Sequence, residues 1–215
     1  MGVGRSDDND ASTAGRNAAK AALAGPDPRL LIVFCADSYD LPALVQAVAE
    51  AAPGVPLVGC STAGELSVSG DEAGAGDATV VVTALGGSGF SVATRHASAA
   101  AEDGGLRQAG FDAAGCMSDV EPLPHNVLMV LTDGLAGDQE EVVRGTYRAV
   151  GATVPLVGGC AGDDLKMTAT YQFHGTEVMR NAVVAVAIAS DAPLGIGVRL
   201  GWRRVGDPML VANSD

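Results

Sequence analysis

The sequence predicts an α/β fold of two pseudo-repeated α-β-α-β units with added antiparallel strands, forming mixed sheets covered by helices. Three observations carry this. The segment VPLVGCSTAGEL at residues 55–66 returns as VPLVGGCAGDDL at residues 154–165, with six of twelve positions identical and no gap. Each copy is preceded by an apolar run, an aspartate and an amphipathic segment: residues 30–35 with Asp37, and residues 127–131 with Asp133. Both runs are apolar throughout instead of alternating, as in strands covered on both faces. The chain therefore reads as a duplicated unit, and its two glycine loops are the first place to look for function.

Taken in order, residues 2–4 read as a short strand and residues 10–23 as a helix. Alanines recur at 11, 14, 18 and 22, Asp10 or Ser12 caps the start, and Gly25-Pro26 stops it. Residues 30–35 form an inner strand. Asp40 caps the next helix, Pro42 suits its first turn, and Leu41, Leu44, Val45, Val48 and Ala52 make one stripe. Pro53-Gly54 ends it before the strand 55–58 and the loop 59–65. Residues 79–85 and 90–96, joined through Gly86, Gly87 and Gly89, predict an antiparallel hairpin. Gly104-Gly105 confines the following helix to the residues after 105.

The second half repeats this order. Residues 127–131 form a strand, and Asp138 with Glu141 predicts a capping box ahead of Val142, Val143, Thr146, Tyr147 and Val150. The strand 154–157, the loop 158–164, a short strand 170–174 and two long strands, 182–189 and 195–202, complete it. The whole is expected to be one domain over 1–215, with halves at about 1–97 and 98–204 and a tail at 205–215. Periodicity leaves open whether the halves share a sheet.

Composition excludes several functions. The chain has 215 residues and 47% apolar content, enough for a real core. Thirteen basic against 26 acidic residues give a formal charge of −13 with no Lys/Arg cluster to follow a phosphate backbone, so nucleic acid is not an expected partner. The longest purely apolar run, 182–189, has eight residues against the roughly 20 of a membrane span, so no membrane insertion is expected. Cys35, Cys60, Cys116 and Cys160 lie far apart without a CxxC, which predicts neither a disulfide framework nor a zinc site. A cytoplasmic location and no cofactor are expected.

The run Leu31-Ile-Val-Phe-Cys35 with Asp40-Leu41, the loop Gly59–Glu65, the run Thr132–Glu140, the loop Gly158–Asp164 with Tyr171 and Phe173-His174, and the closing Gly201-Trp202 together resemble the FIST N domain. The resemblance covers almost the whole chain. It implies a cytoplasmic sensory domain of signal transduction that binds a small ligand, with amino acids as the suggested class. It also implies a partner in a following FIST C-like or signalling output domain, toward which residues 205–215 would lead.

The residues of the loops suit such a ligand. A glycine loop leaving a strand presents backbone amides to an anion, and Cys60, Ser61, Thr62, Gly64, Gly159, Cys160 and Gly162 surround those amides with small groups. Glu65, Asp133, Asp163 and Asp164 supply the opposite sign, with Gly134 beside Asp133 and His174 nearby in sequence. One pocket built from both halves would then hold an amino acid's carboxylate on amides and its ammonium on acids. The plainer alternative reads the glycines as turn formers with positive φ and the acids as solvated or capping groups. Two other functions compete with a sensor: a thiol-dependent enzyme using Cys60 or Cys160, and a protein-interaction scaffold with an exposed strand edge. An exposed edge along 182–189 would favour the scaffold.

Overall fold

The computed structural model describes residues 1–65, 67–69, 72–74, 79–101, 105–198 and 205–206. The first half contains β1 (Gly2–Ser6), α1 (Ala11–Ala22), β2 (Pro28–Ala36), α2 (Leu41–Ala51), β3 (Leu57–Thr62), the small strands β4 (Ser67–Ser69) and β5 (Glu72–Gly74), and β6 (Val80–Gly86). The second contains β7 (Phe90–Ser98), α3 (Gly105–Ala114), a 3₁₀ turn at Gly115–Ser118, β8 (His125–Thr132), α4 (Gln139–Val150), β9 (Leu156–Cys160), β10 (Gln172–His174), β11 (Glu177–Met179) and β12 (Ala182–Ser190).

The duplication is visible in the sheets. The first runs β1-β6-β2-β3-β10-β11 and the second β7-β12-β8-β9, so the first four positions of each match element for element. The pairing registers match too: Leu31 lies beside Leu57 in the parallel β2–β3 pair, and Leu128 beside Leu156 in β8–β9. The sheets stack face to face, with helices on the outer faces.

Alternation along the inner strands builds three apolar layers. Leu31, Val33 and Cys35 face α1 and α2, whereas Leu30 and Ile32 face the other sheet. Val183, Ala185 and Ala187 face the α3–α4 side, and Val184, Val186 and Ile188 meet the first sheet. Each of those larger inward side chains contributes about 1.5–3 kcal/mol by leaving water. The strand β12 is buried along its full length. It lies between β7 and β8, so the exposed edge that would favour a scaffold is not found there.

Helix starts follow the expected caps. Asp10 accepts from Thr13 N at 2.8 Å and Asp40 from Ala43 N at 3.2 Å. Asp138 caps α4 through Glu140 N at 2.9 Å, but the reciprocal half of the capping box is missing. Glu141 instead pairs with Arg107 at 2.6 Å and with Arg144, because a charged partner outcompetes a backbone amide already close to water.

Three strand expectations need correction. Residues 80–86 and 90–98 do not form a hairpin: β6 has both ladders filled by β1 and β2, so β7 has no edge to join and pairs with β12 in the other sheet. The short strand 170–174 begins at Gln172 and is half of a small hairpin with β11. Residues 195–198 are not in a strand, and the rest of the expected strand, with Trp202, lies outside the described residues, as does most of the tail 205–215.

Candidate functional site

The parallel pairs β2–β3 and β8–β9 both end on the same side of the fold as their glycine loops, the usual place for a ligand on such strands. The loops meet there, as the duplicated sequence suggests. They meet by direct hydrogen bonding. Ser61, fully buried, donates from Oγ to Gly162 O at 2.7 Å and accepts from Tyr171 N at 3.0 Å. Gly162 N returns a bond to Ser61 O at 2.9 Å, and a Cβ on Gly162 would stand 2.9 Å from Ala63 N. The seam between the halves is closed here, and no ligand fits between Ser61 and Gly162.

Most of the acids are also engaged. Glu65 is buried and accepts from the hydroxyls of Thr62 and Thr79. Asp163 accepts from the amides of Met167 at 3.0 Å, Thr168 at 2.6 Å and Ala169 at 3.1 Å, and from the Thr168 hydroxyl. Those bonds, Thr168 N first, hold its carboxyl down at about 2. Asp164 is exposed on a turn in which it, Leu165 and Met167 all have positive φ, and Lys166 reaches back to Asp37 at 2.7 Å. Asp163 and Asp164 thus build a turn. Gly64 has the expected positive φ, 136°, and so does Gly158, at 146°; Gly59 and Gly162 do not. Gly59 serves close approach instead, since a Cβ there would lie 2.0 Å from Val33 O and 3.0 Å from Phe173 Cδ2.

Cys60 is buried between the sheets, and desolvation, followed by the neighbouring Cys160, pushes its thiol up to about 12. That environment opposes a thiolate nucleophile. Cys160 is exposed, and its Sγ accepts from the Thr132 hydroxyl at 3.4 Å. Gly134 packs on the second loop, with Ala161 O 2.7 Å from where its Cβ would be, while Gly159 has open space on its Cβ side. His174 stands apart from the loops, in β10 opposite Val58 at the start of β3. Among the described residues no three His, Cys, Asp or Glu side chains gather to hold a metal ion.

Two concavities flank the end of β8. One, about 260 Å³, lies between α4 and β9 and is lined by Val130, Thr132, Gln139, Val142, Thr146 and residues 156–160. It is largely apolar, and the buried Oε1 of Gln139 has no partner among the described residues. The other, about 340 Å³, is bounded by Asp133, Leu135, Ala136, Ala169, Thr170, Arg180 and Asn181. Asp133 is buried at its base and accepts from Thr170 Oγ1 at 2.6 Å, Asn181 N at 2.7 Å and Leu135 N at 2.9 Å. A carboxylate offers about four lone-pair positions, so one acceptor position has no partner among the described residues. Arg180 is exposed, lies 5.9 Å over the Tyr171 ring and, among the described residues, makes one long bond, 3.4 Å, to Thr168 O. Most of its five donors face solvent.

Arg180, Asn181 and Thr170 were not expected from the sequence. The signal was present, since Arg180-Asn181 is a polar pair directly before the most apolar strand, but only the β10–β11 hairpin carries it to Asp133. A comparison with curated proteins gives no match. The profile of the FIST N domain matches residues 29–215, nearly the whole chain, and the protein therefore belongs to the FIST N domain family, a family of signal-transduction sensory domains.

Proposed function

We propose that this domain senses a small amino acid or carboxylate, bound in the concavity of Asp133 and Arg180. The carrying observation is the pairing of an acid and a base in one cleft at the end of β8. The Arg180 guanidinium suits a ligand carboxylate, and the open acceptor position of Asp133 suits an ammonium group. Of the residues nominated from the sequence, Asp133 belongs to this site, and Gly134 next to it packs on the second loop. Ser61, Thr62, Gly64, Glu65, Gly162, Asp163 and Asp164 support it by fixing the loops around it. Cys60 lies behind them, and Gly159 and Cys160 line the neighbouring apolar groove. One domain spanning the chain, in the cytoplasm, is part of this reading, and the four unpaired thiols support the location.

The outer edge of β9, unpaired among the described residues, favours a second role for the same domain, docking a following FIST C-like or signalling output domain by strand addition. The equivalent edge of β3 is already filled by β10, which supplies the internal precedent. Ligand sensing is tested by thermal unfolding against the twenty amino acids and a panel of small carboxylates. A ligand at a hundredfold excess over its Kd stabilises by about 2.7 kcal/mol. Arg180→Ala is expected to remove that shift while leaving the unliganded melting temperature nearly unchanged. The absence of any shift, or a shift indifferent to Arg180→Ala, rejects this site.

A further inference from the structure

His96 in β7 and His174 in β10 are 78 residues apart in sequence, yet their Nδ1 atoms are 3.1 Å apart. The other nitrogen of each ring faces an acceptor. Nε2 of His174 is 3.0 Å from Thr94 Oγ1, a hydroxyl able to accept from it. Nε2 of His96 faces Glu177 Oε2 at 3.8 Å. With the ring hydrogens on the two Nε2 atoms, each facing one of these oxygens, the two Nδ1 lone pairs turn toward each other. Two lone pairs at this separation repel unless a cation joins them.

Ring geometry distinguishes a shared proton from a metal ion. A linear N–H···N bond at this N···N distance would set the ring centres about 5.4 Å apart, a ring radius of ~1.15 Å being added at each end. The centroids are only 4.7 Å apart and the planes are inclined by 55°. The two rings therefore do not lie along a single line through their Nδ1 atoms. Two imidazole nitrogens at ~2.1 Å from one ion, about 95° apart, give an N···N distance of ~3.1 Å and a centroid distance of ~4.8 Å. Both observed distances fit.

We propose that His96 and His174 form a two-imidazole site for a divalent transition-metal ion of the copper, nickel and zinc class, which clips β7 of one sheet to β10 of the other. Near-right-angle geometry suits octahedral or tetragonal coordination, and imidazole suits these metals. Thr94 and Glu177 act as the outer partners that orient the ligating rings. The His96 side chain is 37% exposed, so water completes the coordination sphere. Because His174 pairs with Val58, the site lies at the opposite end of β3 from the glycine loop, ~10 Å away along the strand. It is independent of the proposed ligand cleft.

The test is calorimetric titration of the metal-stripped full chain with Cu²⁺, Ni²⁺ and Zn²⁺, with electron paramagnetic resonance of the Cu²⁺ form. One saturable equivalent is expected, with hyperfine coupling to two nitrogen donors. His96→Gln and His174→Gln should each weaken it by more than about a hundredfold, and Thr94→Ala by less, since loss of an outer partner alone costs about 10–100-fold. Cys160→Ser should leave it unchanged. His96 is on an exposed strand edge, so its variant should keep the metal-free melting temperature. Absence of saturable binding, binding that survives His96→Gln, or binding lost in Cys160→Ser overturns the proposal.

Discussion

In the first copy of the repeat, β3 lies between β2 and β10, and Gly59, Cys60 and Ser61 are buried; in the second, β9 has β8 on one side only among the described residues, and Gly158, Gly159 and Cys160 are exposed. The strand sequence VPLVG and its parallel register are the same in both. Local sequence sets the strand, but the neighbour supplied by the rest of the chain sets what the strand can do. One copy has become structural. The apolar groove lies against the other, where the backbone is accessible.

The sharpest way to break this contrast is to remove the cover from the first copy. Phe173 is fully buried over Gly59, and Phe173→Ala should cost about 3–5 kcal/mol, measured by urea unfolding. Gly59→Ala, whose Cβ collides with Val33 O, should cost about 1–3 kcal/mol through forced strand displacement. Should Phe173→Ala prove neutral, β10 is not holding β3 as described; should Gly59→Ala prove so, β2 does not approach β3 as closely as described. A chemical contrast comes next. Iodoacetamide at pH 8 should label Cys160 in the native protein and spare Cys60, whose thiol is pushed up to about 12. Labelling that persists in Cys160→Ser before unfolding would contradict the assigned burial.

The smallest expected effect concerns the turn after β9. The carboxyl of Asp163 is held at about 2 in the folded chain against an ordinary value of 3.8, so it favours folding above the higher value. That contribution declines as pH falls from about 4 through 2. Asp163→Asn should flatten this part of the urea midpoint's pH profile, and an unchanged profile would remove Asp163 from the list of groups that fix the turn.

Much of this was legible in the residues. The repeated segment gave away the duplication, unbroken apolar runs marked the inner strands, and Asp10 and Asp40 marked helix starts, because each signal is local in sequence. The separation of β6 from β7 was not legible, since alternation says that a residue run is a strand without saying which edge it joins. The three residues of β10 are too few to show a period, and the pairing that brings Arg180 to Asp133 depends on them. His96 and His174 met for the same reason, through a long-range strand placement that no spacing rule records. The glycine loops drew attention as a ligand cradle, but Ser61 and Gly162 spend their hydrogen-bonding groups on each other.

The hydrogen bond from Tyr171 N to Ser61 Oγ spans 110 residues of chain, and the strand that seals β3 follows directly after it. On a ribosome adding roughly 5–20 residues per second, the finished apolar edge of the first sheet therefore waits about 6–22 s for its cover. The first half must leave the ribosome as an incomplete object. Its vulnerability to aggregation is set by the pace of translation across the second half, so slowing synthesis between residues 62 and 171 is expected to lower the yield of soluble protein more than slowing it within the first 60.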